Sequence, residues 1–311
     1  MENIYLEIGK RIRQQRKAHG LTREEFAENL STTMQYISRL ERAKNKVSMF
    51  SCTFTVCAFA AEPYAENSNP PTLQDTLQEI LDNPTYSNAY KEAAKKKCDY
   101  LMGVRDSGPS ALTRASNSMT IYVPHTRQPN GVSCGPSTVR QTLAHYGLVK
   151  NLSTIMSEMS DASKPATYCY SPTNGIFEIS KMFYYINTSL YGEGGDPTGV
   201  VYMALWKNGA YTSSQQMLNM MASVISNNNP PILHTGAIQG TKRTSYNDTS
   251  KWPINISSGH FMSVSGYNLS NATIQVTDPD VTNQQSSSSY SSGKYYINSS
   301  VVYSTCDYFA A

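Results

Sequence analysis

The chain is short of the residues from which cofactor sites are made. Six cysteines and five histidines are spread over 311 residues, and no group of them has the spacing of a zinc site. No glycine-rich loop follows a predicted strand in the form that cradles phosphate, so neither a metal nor a nucleotide cofactor is expected. No internal repeat is visible, which sets aside solenoids and propellers. No apolar run reaches the roughly 20 residues a helix needs to cross a bilayer, so no membrane span is expected in the mature chain. Charge is scarce at 16% of residues, and unevenly placed: 30 charged residues fall in 1–118 but 19 in 119–311.

What takes the place of charge in 119–311 is tyrosine, serine and asparagine; 16 of the 22 tyrosines lie after residue 118. That composition suits strands and an extracellular setting. A groove holding extended peptides on aromatic faces is also within its reach, although packing accounts for most of the tyrosines. A segment of this length can bury one substantial core.

Three separated blocks in that segment carry chemistry. They are Gln128-Pro-Asn-Gly-Val-Ser-Cys134-Gly-Pro-Ser, then Gly259-His260, then Thr277-Asp278-Pro279. A thiol with a pKa near 8.5 is mostly protonated at neutral pH, so a nucleophilic cysteine needs an adjacent imidazole and usually the positive end of a helix. After Cys134 the pattern predicts a helix, with Pro136 in its first turn, Val139, Leu143 and Tyr146 on one stripe and Gly147 as terminator. The sulfur would then sit over backbone N–H groups that the helix leaves unsatisfied. Ile274, Val276 and Asp278 share one parity of a predicted strand, which would deliver the carboxylate to the side of its apolar residues. Asp280 has the same parity and is the fallback. His234 is the rival base, read as part of a buried strand after a helix from Ser213 to Ile225; His125 and His145 have no partner pattern.

Cysteine first, histidine far downstream and a polar orienting residue beyond it resembles the papain-like cysteine peptidases. The Gln…Cys-Gly-Pro…Tyr-Gly block, the Gly-His-Phe-Met-Ser-Val-Ser-Gly-Tyr267 block and the Thr-Asp-Pro block are similar to those of the bacterial peptidases related to bacteriocin double-glycine-leader peptidases. The resemblance covers roughly residues 119–311. It implies an α+β papain-like fold, with the cysteine on a helix and the histidine and aspartate on an antiparallel sheet. It implies Cys134 as nucleophile, His260 as base, Asp278 as the group orienting the imidazole, and Gln128 with the Cys134 backbone N–H as oxyanion hole. The reaction implied is hydrolysis of peptides or proteins through an acyl-thioenzyme.

Residues 1–48 are of another kind. Ten basic residues against six acidic give them a net charge of +4, which suits a phosphate backbone. Three short helices are predicted, the first with Lys10, Arg11, Arg13, Arg16 and Lys17 on a basic face and the second with Thr22 and Glu25 as a capping box. Leu21-Thr-Arg-Glu-Glu-Phe-Ala-Glu-Asn-Leu30 followed by Met34-Gln-Tyr-Ile-Ser-Arg-Leu-Glu41 resembles the lambda-repressor-like (Xre-type) helix-turn-helix. The resemblance implies a small all-α domain that binds duplex DNA, with Thr33, Gln35, Tyr36 and Arg39 facing the major groove and Ser38 nearer the backbone or the packing side.

Residues 49–61 are almost unbroken in their apolarity and end Ala58-Phe-Ala60 before Ala61-Glu-Pro. They read either as a secretory signal core with its cleavage site or as a closing helix for the DNA-binding segment. The first favours a secreted or cell-surface peptidase, the second a cytoplasmic protein. Residues 62–118 read as a helical connector, packing hairpin or propeptide-like region, with one stripe at Leu73, Leu77, Ile80 and Leu81 and another at Tyr90, Ala94, Cys98 and Leu101. Cys169 and Cys306 are either bridged or buried as free thiols. Beside the peptidase stand two other readings: a transcription regulator whose large domain senses peptides, and a catalytically silent papain-like binding module.

Overall fold

The computed structural model of the chain describes residues 10, 13, 16, 17, 22–24, 27, 34–41, 70–84, 86–107, 116–161, 163, 169, 179–191, 202–240, 248–257, 259–280 and 293–311. They fall into two units, Met1–Ala60 and Ala61–Ala311.

In the first unit, helix α1 (Met34–Glu41) buries Ile37 and, one turn on, Glu41. Arg16 donates its Nε–H to Glu41 Oε1 at 2.6 Å and Arg23 donates to Oε2 at 2.8 Å. Burial would raise the Glu41 pKa, but the two guanidiniums outweigh it and hold the carboxyl below its ordinary value. The last residue of the Ser-Arg-Leu-Glu run is therefore a core ion pair, and breaking such a pair costs about 3–5 kcal/mol. Of the expected base-reading residues, Thr33 lies outside the described residues, and Gln35, Tyr36 and Arg39 are on α1 with side chains outside them. Residues 49–61 are also outside.

The second unit opens with the two stripes. Helix α2 (Leu73–Asp82) starts on a capping box between Thr72 and Asp75 and buries Leu73, Leu77 and Ile80. Asn83 ends it, and α3 (Asn88–Ser107) buries Tyr90, Ala94, Cys98 and Leu101. There follow β1 (Ser118–Thr120), α4 (Cys134–His145), α5 (Leu152–Met159), α6 (Ile179–Tyr191), β2 (Ala204–Trp206) and α7 (Ser214–Ser226). The chain then runs through β3 (Ile232–Thr235), β4 (Ile238–Gln239), β5 (Asn255–Ile256), β6 (His260–Asn268), β7 (Thr273–Thr277) and β8 (Lys294–Asn298) to α8 (Ser299–Thr305) and β9 (Cys306–Ala310).

The main sheet has the order β2-β9-β3-β6-β7-β8, every pair antiparallel. β1 pairs with the far half of β6, while β4 and β5 form a separate ribbon. Alternation along the strands divides the core into two faces. Leu205, Leu233, Met262 and Phe309 join one apolar cluster; their neighbours Ala204, Ile232, Phe261 and Tyr308 join the other. Helix α4 packs with α5 and α6 on the second face. The α2–α3 pair belongs to the first, with α7. Tyr86 stacks on Tyr184 at 4.4 Å, and Asn187 donates its amide to the Tyr90 hydroxyl at 2.8 Å. The architecture is α+β.

Cys98, Cys134, Cys169 and Cys306 are all buried and none is in a disulfide, so the Cys169–Cys306 bridge is not formed. Burial pushes the Cys306 thiol up to about 12. No helix among the described residues is long and apolar enough to cross a membrane.

Candidate active site

The turn before α4 sets where its first residue lies. Asn130 accepts from the Val132 backbone at 3.1 Å through its side chain, and from the Ser133 hydroxyl at 3.2 Å through its carbonyl. Ser133 is the N-cap residue, but its hydroxyl donates to Asn130 and makes no side-chain cap bond to the helix. Pro136 brings no N–H to the first turn. The backbone N–H of Gly135 is thus left without the cap that a serine there commonly supplies, and the N–H of Cys134, the first helical residue, is outside such a cap's usual reach. Cys134 stands at this end, 7% exposed, and the helix finishes at Gly147, whose φ of +83° favours glycine.

His260 opens β6 and is almost fully buried. Its Nε2 lies 2.8 Å from Asp278 Oδ1, and its other side-chain partner is Cys134, so Nδ1 is the nitrogen left to face the sulfur. Burial pulls the imidazole pKa down, but the charge and hydrogen bond of Asp278, followed by those of Cys134, outweigh it and raise it to about 10. A proton is held on the ring well above neutral pH. Asp278 follows β7, where Ile274 and Val276 of the same parity are fully buried. It is Asp278, not the fallback Asp280, that takes the imidazole; Asp280 donates its backbone N–H to Asp278 Oδ1 at 2.8 Å.

Gln128 is buried, and its backbone N–H donates to the carbonyl of Pro279 at 2.9 Å. Its side-chain Oε1 makes no hydrogen bond among the described residues. The segment carrying Gln128 is therefore pinned beside the Asp278 turn while one end of its carboxamide is uncommitted.

The rival His234 is used differently. Its ring stacks on Tyr308 at 4.7 Å and 11°. Its Nδ1 is 3.1 Å from Asp307 Oδ2, near enough for an ion pair but not aligned for a hydrogen bond. A Cβ on Gly259 would come within 2.6 Å of His234 Nε2, which explains the glycine before His260.

Three supporting residues are not apparent from the sequence. Gln141, on α4, donates to the Thr126 carbonyl at 3.2 Å and accepts from the Ser263 hydroxyl at 2.9 Å. It ties the cysteine helix to the Gln128 segment and to the His260 strand together. His125 Nε2 lies 2.9 Å from the Asp278 carbonyl, which fixes the ring proton on that nitrogen; burial lowers its pKa. Tyr295, fully buried on β8, donates its hydroxyl to Asp278 Oδ2 at 2.8 Å. Each of these contacts joins segments with no local periodicity in common, so composition and spacing give no sign of them. Among the described residues, no group of three His, Cys, Asp or Glu side chains is placed to hold a metal.

A model described as the Peptidase_C39 like family matches residues 120–303, a stretch that contains Gln128, Cys134, His260 and Asp278. A Helix-turn-helix family model matches residues 12–52. No curated protein matches the sequence. Among solved structures, the chain is similar to Xylellain, a cysteine protease from Xylella fastidiosa, at 9% identity and a TM-score of 0.39, covering 65% of this chain and 87% of that one.

Proposed function

The chain belongs to the Peptidase_C39 like family, and from that membership we propose that its second unit is a cysteine peptidase that cuts peptide bonds through an acyl-thioenzyme. The observation that carries the reading is one buried imidazole partnered on one nitrogen by Asp278 and, on its other side, by Cys134 at an uncapped helix start. In this scheme the Cys134 sulfur attacks the scissile carbonyl carbon while His260 holds the thiol proton. The Gln128 carboxamide and the Cys134 backbone N–H stabilise the oxyanion. As the C–N bond breaks, His260 passes its proton to the leaving amine; it then takes one from water, which attacks the thioester and frees the acid product.

Thiol labelling tests this without knowledge of the substrate. With iodoacetamide near neutral pH, Cys134 should alkylate far faster than Cys98, Cys169 or Cys306, which have no such Asp-paired imidazole against them among the described residues. Equal rates would remove the enzyme reading and leave a silent binding module. The pH dependence follows from the raised His260 pKa. The imidazolium needed by the leaving amine is present below about 10 and lost above it, so turnover should decline as pH rises through that value while alkylation of the thiolate persists.

The helix-turn-helix match over residues 12–52 and the basic balance of the segment support a second role, duplex DNA binding by the first unit. Binding of the full chain to duplex DNA should weaken steeply with added salt, and Lys10→Ala, at an exposed position, should flatten that dependence while lowering affinity evenly across sequences. Binding indifferent to salt would count against it.

A further inference from the structure

Asp278 has no exposed surface, yet each of its polar atoms is engaged. Its backbone N–H donates to Gly293 and its carbonyl lies against His125. Oδ1 faces His260 Nε2 and the Asp280 N–H, and Oδ2 accepts from Tyr295. The strand register accounts for the last of these. Val276 sits opposite Tyr295, so Asp278, two residues on and of the same parity, is a diagonal neighbour within reach of a long side chain.

A phenylalanine would fill the apolar side of this site as well as the Tyr295 ring does. That ring packs in the cluster of Met262, Ile274, Val276 and Ile297, with Trp252 edge-on at 6.4 Å. The hydroxyl is what needs a reason, because a buried hydroxyl without a partner is costly. Among the described residues it reaches the Met262 sulfur at 3.7 Å and the carboxylate at 2.8 Å. A single proton goes to the charged and nearer one.

Resting on the reading that Cys134, His260 and Asp278 act together, we propose that Tyr295 is a positioning residue of the site, whose hydroxyl holds the Asp278 carboxylate in the plane that presents Oδ1 to His260. Without that bond the carboxylate can turn about its last torsion, and Oδ2 is left buried and unsatisfied. The hydroxyl also stabilises the charge that keeps the proton on the imidazole. Among the described residues, the other titratable groups around this carboxylate are His125, at the Asp278 carbonyl, and Asp280, two residues along; Lys294 adjoins Tyr295 on β8. None of them replaces a donor at Oδ2.

The test is Tyr295→Phe in the full chain, with iodoacetamide as the probe of Cys134 and a peptide substrate for turnover. The expected result is a fall in kcat of about tenfold, the worth of one hydrogen bond to a charged group, with KM little changed. The alkaline limb of turnover should move to lower pH, since a carboxylate free to turn supports the His260 imidazolium less. In an Asp278→Asn background the same change should add almost nothing. Unchanged kcat and an unchanged profile would overturn the proposal, as would an equal loss in both backgrounds. Should Tyr295→Phe fail to fold, the double variant with Asp278→Asn should fold again, because the buried charge is gone; failure of that rescue also overturns it. A wild-type Cys134 no more reactive than the other thiols would defeat the peptidase reading and this proposal with it, whereas a reactive Cys134 with an unmoved profile defeats this proposal alone.

Discussion

Cys134→Ala should abolish peptide hydrolysis, by roughly 10⁴-fold or more, and leave the melting temperature nearly unchanged. Alanine keeps the Cβ at the helix start, so the substitution removes a single side-chain atom from the cluster, and little packing with it. His260→Ala should be as inactive, and the double variant no worse than either single one, because nucleophile and base act as a unit. Stability separates the two. Removing the imidazole leaves a fully buried Asp278 without its positive partner, a penalty of about 3–5 kcal/mol out of a typical total of about 5–15. His260→Ala should therefore melt measurably lower than Cys134→Ala. Gln128→Ala completes the series, with kcat reduced by about one hundred-fold and KM little affected. Substantial turnover by purified Cys134→Ala would sink the assignment.

A chain shortened to 119–311 should not fold. The family model begins at residue 120, which invites that cut, but the apolar face of the sheet is closed by residues from before it. Leu73, Leu77, Ile80, Leu101 and Val104 are all buried in the cluster that contains Met203, Leu205 and Leu233. At roughly 1.5–3 kcal/mol for each large apolar side chain, the loss is comparable with the whole stability of an ordinary domain. A chain starting at residue 61 keeps the pair and should melt cooperatively; the shorter one should be insoluble or lack near-ultraviolet circular dichroism. Equal melting of the two would mean that α2 and α3 only decorate the unit.

The helix after Cys134 is legible in the sequence because its signals are local: Pro136 in the first turn, Val139 and Leu143 at helical spacing, Gly147 at the end. The same holds for β7, where Ile274 and Val276 alternate up to Asp278, and for the two stripes of α2 and α3. What those stripes pack against is another matter. An apolar stripe tells that a helix buries one face, and nothing about whether the cover is a groove, a second helix or a sheet. Tyr295 is harder still. The run Lys-Tyr-Tyr-Ile-Asn alternates as a strand should, yet only the register of β7 against β8 singles out one of its tyrosines as the partner of Asp278. In the first unit, Glu41 closes a run whose pattern resembles a recognition helix, while its carboxylate turns inward to two arginines.

The position of β9 has a consequence for synthesis. It comes after every other described strand, yet it lies inside the sheet, between β2 and β3. A ribosome releases the nucleophile segment, then β3 and the β6–β7–β8 meander, while the slot between β2 and β3 still waits for Cys306–Ala310. Until that strand emerges, β2 has no hydrogen-bonded neighbour in the sheet and Tyr308 is missing from beneath His234 and Phe261. Closure of the sheet across that slot, and with it the packing of Tyr308 beneath His234 and Phe261, therefore waits until Cys306–Ala310 has been made.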